Sequence, residues 1–226
     1  MTTAYTYEEP YEIDPDSELY AWLTDPAAAV LSIDMHEGHL SDSPDCPCPA
    51  PRGRQIVRPI NAFHRDMRTQ GTPIIHVKSE LRASGRDDVA GMSPSAWRYT
   101  FPLHVGPISG IRQHALAGTP WSVLSTEVAE GDEIVNGKKR LSGFVATDLD
   151  FLLRQMGVHT VILDGIMTDC CVLNTAFDAS NLGYRVVVAR DLTRGTDERL
   201  ERAALDIMSL HLGLVMDSDE IVRARA

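Results

Sequence analysis

Four times the chain repeats one phrase, an amphipathic segment that ends in glycine and is followed at once by a short apolar run. The phrases read QGTPIIHV, MGVHTVILDG, LGYRVVVARD and LGLVMDS. Apolar spacing predicts helices over 57–70, 148–156, 171–182 and 197–211, the last with Leu200, Ala204, Ile207, Met208 and His211 on one face. Pro59 falls near the start of the first of these, where a missing N–H is tolerated. An earlier strand over Ala28 to Met35 and a short one over Glu133 to Asn136 complete the series. Helices and strands alternating at this length predict a three-layer α/β/α sandwich. Its sheet should be mostly parallel and roughly six-stranded, with right-handed crossovers.

Two stretches depart from the pattern. Between 80 and 132 it gives way to Pro, Gly, Ser, Trp and His (GMSPSAWRYTFPLH, ALAGTPWSVL), an insertion too long for an ordinary connection and of the kind that forms lids or binding loops. Residues 1–25 read as an N-terminal arm, either packed along the body or a neighbouring subunit or without fixed structure. The remainder, 26–226, reads as one domain; 43% hydrophobic residues in a chain of 226 suffice for its core.

Charge and cysteine usage narrow the function. A net charge of −11 argues against nucleic acid as a partner, because phosphate binding needs clustered Lys and Arg. No window approaches the ~20 apolar residues of a membrane span, and the N-terminus lacks a basic, then apolar, leader. Cys46-Pro47-Cys48 and the adjacent Cys170 and Cys171 form neither a secreted disulfide framework nor a paired zinc pattern, so a reducing cytoplasmic setting is expected.

Three segments carry residues suited to chemistry. In TVILDGIMTDCCVLNTAFDASNLGYRVVVAR an apolar strand meets Gly165, a turn and a helix, which puts a cysteine pair at a strand-to-helix junction. There, free N–H groups and the helix dipole favour a thiolate, although a buried cysteine can equally serve packing alone. In VLSIDMHEGHL, Asp34 lies where a buried strand reaches the carboxyl edge of the sheet, as a reacting carboxylate or a loop cap. In NGKKRLSGFVATDLD, Lys138 and Lys139 follow a short strand, facing a site or water.

Taken together, the three segments resemble the isochorismatase-like cysteine hydrolases, in particular the amidohydrolase branch that includes N-carbamoylsarcosine amidase. Ile33, Asp34 and Met35 match the first block of that family. Lys138, Leu141, Ser142, Gly143, Phe144, Thr147, Asp148 and Leu149 match the second. Gly165, Thr168, Cys171, Val172, Thr175, Ala176, Asp178 and Ala179 match the third. The resemblance selects Cys171 over Cys170 as nucleophile and Lys138 over Lys139 as its partner, leaving Cys170 to packing. It implies a C–N hydrolase working through a thioester on Cys171, with Asp34 as general base and acid and Lys138 stabilising the thiolate. It also implies a cis peptide at Ile166–Met167 and an oxyanion hole formed by the N–H groups of Met167 and Cys171.

The resemblance further implies a small-molecule amide or ureide substrate and a homo-oligomer, dimer or tetramer. Where relatives often read Asp-x-Gln-x-Asp-Phe, this chain has Asp34-Met35-His36-Glu37-Gly38-His39-Leu40, so the substrate end of the site differs. The nicotinamidase branch carries an Asp and spaced histidines after its second strand; HVKSELR offers only His76, so neither a metal nor another cofactor is expected. His36 and His39 are loop histidines that either face water or hold a ligand. His36, Trp121 and Arg140 are the chosen substrate contacts, with Trp97, Tyr99, Phe101 and His104 as further candidates for an apolar wall and Arg82 and Arg98 for a carboxylate. The alternatives to an amidohydrolase are vinyl-ether hydrolysis of the isochorismatase type, whose members usually lack the cysteine, and a non-catalytic subunit that keeps the fold.

Overall fold

The computed structural model describes residues 2–226. The chain opens with strands β1 (Thr2–Thr6) and β2 (Glu9–Ile13) and helix α1 (Glu18–Thr24), then enters the sheet with β3 (Ala28–Ile33). A single helical turn, α2 (Glu37–Leu40), leads to α3 (Val57–Thr69) and β4 (Ile74–Ser79). The insertion contributes α4 (Trp97–Val105) before β5 (Glu133–Lys138). After that the alternation is regular: α5 (Leu149–Gln155), β6 (Thr160–Ile166), α6 (Leu173–Asn181), β7 (Arg185–Arg194), α7 (Glu198–His211), β8 (Gly213–Met216) and α8 (Ser218–Arg225).

The strands form one sheet in the order β2-β1-β8-β7-β6-β3-β4-β5. The six from β8 to β5 are parallel, as the repeated phrase requires. The sheet has eight strands rather than six because the N-terminal residues form a hairpin whose first strand pairs antiparallel with β8 at Tyr5 and Val215. Ala4 and Ile13 are buried, Tyr5 donates to Asp217 at 3.1 Å, and the Arg190 guanidinium lies 3.5 Å from the Tyr5 ring centroid. Period-two alternation sends neighbouring strand residues to opposite faces. Val30, Ile74, Ile162, Val187 and Leu214 pack under α1, α3 and α8, against Leu23, Ile60, Phe63, Met67 and Ile221. Leu31, Ile75, Val161, Leu163 and Val188 pack under α5, α6 and α7, against Leu149, Leu153, Ala176, Ala179 and Met208. Each large aliphatic side chain buried in this way contributes roughly 1.5–3 kcal/mol, so the two layers hold the sheet rigid between them.

Strand order reverses direction at β3 and β6, which are direct neighbours from Ala28↔Thr160 to Ile33↔Gly165. Helices leave to opposite sides there and open a crevice at the carboxyl ends of the strands. Gly165, at φ 105°, is needed for this contact: a Cβ on it would lie 2.2 Å from the Ile33 carbonyl oxygen. The 80–132 segment is a folded wall over that crevice. Leu81 bridges Leu116, His36 bridges Leu124, and Arg98 of α4 is buried with its Nε 2.7 Å from Asp88 Oδ2.

Candidate active site

Asp34, Lys138 and Cys171 converge at the crevice from the ends of three strands. Asp34 follows β3 and adopts φ 53°, a left-handed conformation that few side-chain-bearing residues take. Its N–H donates to the Val77 carbonyl at 2.8 Å and its own carbonyl accepts from the His36 N–H at 2.8 Å, so both neighbours hold the turn. Lys138 ends β5. Between Val77↔Val135 and Ser79↔Lys138 the register shifts, so two residues of β4 face three of β5, and this bulge brings Lys138 beside Ser79. Cys171 lies in a wide π-type turn over Thr168–Val172 that precedes α6, where the Val172 N–H reaches back to the Met167 carbonyl at 3.2 Å. The Ile166–Met167 peptide bond just before it is cis.

Lys138 Nζ is the hub of the site. It lies 2.6 Å from Asp34 Oδ2, 3.1 Å from Ser79 Oγ and 3.3 Å from Cys171 Sγ. Ser79 fixes the other carboxylate oxygen, donating to Asp34 Oδ1 from its N–H at 2.8 Å and from its hydroxyl at 3.0 Å. Asp34 and Lys138 are almost wholly shut off from solvent, and Cys171 keeps 6% of its surface. Thr175 ties the second and third sequence blocks together, accepting from the Gly143 N–H at 3.0 Å and donating to the Cys171 carbonyl at 2.7 Å.

This arrangement sets the charges. Burial alone would push the Asp34 carboxyl up, but the Lys138 ammonium outweighs it and holds the group well below the usual carboxylate range. Burial alone would push the Lys138 ammonium down, but Asp34, with Cys171 adding to it, raises it instead. Asp34 is therefore an anion and Lys138 a cation at neutral pH. For Cys171 the adjacent Cys170 thiol, hydrogen-bonded to it, and burial push the thiol well up, against the ammonium that pulls it down. The helix start was expected to favour a thiolate; the neighbouring Cys170 and burial act in the opposite direction.

A cavity of about 590 Å³ opens onto Cys171 and Lys138. Its apolar wall includes Leu81, Trp97, Phe101, Leu141, Met167 and Leu200. Of the candidates named from sequence, Trp97, Phe101, His104 and Arg140 border it. Arg140 stands exposed at its mouth and donates to the carbonyls of Asp87 and Lys139 at 3.0 and 2.8 Å, with no carboxylate among these partners. Trp121 does not border the cavity: its indole donates to Gln113 and its carbonyl faces His36 Nδ1 at 2.9 Å. His36 is also no substrate contact, being fully buried behind the wall. His39, 5% exposed, is covered by the insertion rather than open to water. Tyr99 points to solvent, Arg82 is paired at the surface with Asp87, and Arg98 is taken up by Asp88. Cys170 borders the cavity beside Cys171 and also packs against both core layers. Lys139 turns away from the hub to the Glu80 carbonyl and Asp87. All four cysteines are free, and among the described residues no helix is long and apolar enough to cross a membrane.

The fold and sequence have many relatives. Over 200 residues the chain is 28% identical to maleamate amidohydrolase of Pseudomonas putida, covering 87% of this chain and 86% of that one. It is 26% identical over 165 residues to N-carbamoylsarcosine amidase of an Arthrobacter species, covering 72% of this chain and 58% of the relative. The crystal structure of a cysteine hydrolase from Pseudomonas syringae pv. phaseolicola superimposes with a TM-score of 0.78 at 23% identity, over 93% of this chain and 98% of the other. The family model described as the isochorismatase domain matches residues 28–220, and the chain belongs to that family.

Proposed function

We propose that the chain hydrolyses a C–N bond of a small amide, carbamoyl or ureido compound through a thioester on Cys171. The observation that carries this reading is the single ammonium of Lys138 within hydrogen-bond reach of both the Asp34 carboxylate and the Cys171 sulfur. When the Cys171 proton passes to Asp34, one negative charge moves from carboxylate to sulfur while the ammonium stays beside both. The site's net charge is unchanged, so the transfer buries no new net charge. The thiolate attacks the substrate carbonyl carbon, and the electron pair displaced onto oxygen is received by the N–H groups of Met167 and Cys171. Asp34 then gives its proton to the departing nitrogen, the C–N bond breaks, and an acyl thioester remains. Water attacks that thioester, losing a proton to Asp34. Collapse releases the acid and the thiolate, which recovers the proton.

The names of the relatives support the reaction class: a maleamate amidohydrolase and an N-carbamoylsarcosine amidase, both acting on non-peptide C–N bonds. The apolar wall around the cavity suits the body of a small organic substrate. Arg140 at the mouth supplies a positive charge for an anionic end. Ammonia release from a panel of amides and ureides tests the proposal. Wild-type protein should turn over at least one, Cys171→Ala should turn over none, and acid quenching should trap an acyl mass on the Cys171 peptide. Undiminished turnover of the same compound by Cys171→Ala would defeat it, and would favour direct attack of water on the carbonyl without a thioester.

A further inference from the structure

We propose that His36, His39 and His114 bind one divalent first-row transition cation, zinc foremost. Each of the three imidazoles offers a nitrogen, and these atoms all lie within 4.8 Å of one another. His39 Nε2 and His114 Nε2 are 3.2 Å apart. Tetrahedral zinc with Zn–N bonds of 2.0–2.1 Å separates its ligand atoms by about 3.3–3.4 Å, so these two nitrogens already stand near chelating distance.

Backbone carbonyls orient two of the rings. His39 Nδ1 lies 2.9 Å from the Cys48 carbonyl and His36 Nδ1 lies 2.9 Å from the Trp121 carbonyl. A carbonyl only accepts, so His39 Nδ1 carries the proton and His39 Nε2 presents a bare lone pair, whereas His36 Nδ1 faces both that carbonyl of Trp121 and the Gly38 N–H at 3.2 Å. His36 Nε2 is fully buried and has no hydrogen-bond partner, a cost that a bound cation would remove. Burial also disfavours a charged ring at all three, pushing His36 down to about 3 and lowering His39 and His114. The seat of His36 depends on Gly38: a Cβ there would lie 2.7 Å from the Trp121 carbonyl oxygen and 2.9 Å from the His36 ring.

His39 and His114 border the cavity, so an ion held there is reached from it. Three neutral imidazoles suit zinc, cobalt or ferrous iron better than magnesium or calcium. Asp34 Oδ1, 3.8 Å from His36 Nε2, is a nearby carboxylate that partly balances the added charge. This set has no carboxylate among its donors and takes two of its three from the turn after β3, so it is not the Asp-and-histidine pattern whose absence led to the expectation of no metal. The inference does not rest on the hydrolase reading, because its readout is binding.

The test is a titration of chelator-stripped, full-length protein with Co²⁺, followed by competition with Zn²⁺ against a chromophoric chelator. Expected is one saturable equivalent with cobalt d–d absorption and no thiolate-to-cobalt charge-transfer band. His114→Gln and His39→Gln should each weaken affinity at least about tenfold, while Cys48→Ser and Cys170→Ser leave it unchanged. The proposal is overturned by the absence of a saturable equivalent, by a charge-transfer band, or by unchanged affinity in folded histidine variants. The last two would point to the cysteines, and the first to a hydrogen bond from His114 to His39 in a neutral cluster. The wild-type spectrum decides the matter even where a variant fails to fold.

Discussion

Ser79 holds Asp34 from two directions, its N–H 2.8 Å and its hydroxyl 3.0 Å from the same carboxylate oxygen, while that hydroxyl also lies 3.1 Å from Lys138 Nζ. Removing the hydroxyl leaves the backbone bond in place but frees the carboxylate to rotate away from the thiol. For Ser79→Ala we expect kcat to fall about 10- to 100-fold with KM little changed, a smaller loss than the ~10²–10⁴-fold of a missing acid–base group. Steady-state kinetics on the substrate found by ammonia release checks the split.

Lys138 and Asp34 form a pair with almost no exposed surface, and removing one partner strands the other. Lys138→Met should destabilise the fold by about 3–5 kcal/mol and abolish turnover. The double variant Asp34→Asn with Lys138→Met should recover much of that stability but none of the activity. Urea midpoints of the three proteins measure the difference.

Cys170 is the first cause of the raised Cys171 thiol, so taking it away should let that thiol ionise more readily. In Cys170→Ala, the pH midpoint for alkylation of Cys171 should move down relative to wild type. Mass-resolved iodoacetamide labelling across pH measures it. A midpoint that stays put or moves up would contradict the assignment.

Burial alone would raise the Asp132 carboxyl, but the Arg68 hydrogen bond, a backbone N–H and His76 together hold it below its usual range. A carboxyl depressed in the folded state contributes stability that is complete above its unfolded pKa and is lost as pH falls through its folded one. Asp88, held down by Arg98 against the same effect of burial, adds in the same direction. The urea midpoint should therefore drop as pH falls below about 4, and less steeply in Asp132→Asn.

A side chain at Gly165 would fall 2.2 Å from the Ile33 carbonyl oxygen, in a backbone conformation that disfavours one. Gly165→Ala should cost well over the ~1 kcal/mol of an ordinary glycine exchange. It should also lower activity, because β3 and β6 carry Asp34 and Cys171 at their ends. Thermal melting and turnover of the same preparation test both effects.

The parallel core was readable because each helix-glycine-strand phrase states its own structure locally. The predicted helices over 57–70, 148–156 and 197–211 agree with α3, α5 and α7 to within a residue at each end. The 171–182 segment differs because a π turn precedes α6, and that wider winding turns both Cys170 and Cys171 toward the cavity. Ser79 left no signal beyond its place at the end of a strand, since one serine there is ordinary. The histidines misled for a different reason. Loop residues usually face water, but His36 and His39 are roofed by a segment more than 70 residues away in sequence, which spacing along the chain does not reveal.

The antiparallel hairpin at the N-terminus covers the β8 border of an otherwise parallel sheet. Were residues 2–13 cut away, the β8 edge that Tyr5 meets at Val215 would be laid bare, a template onto which a second molecule can add its own strand. In this reading the first dozen residues are insurance against self-association, and a shortened chain should sediment as larger species while its catalytic crevice, several strands distant, stays intact.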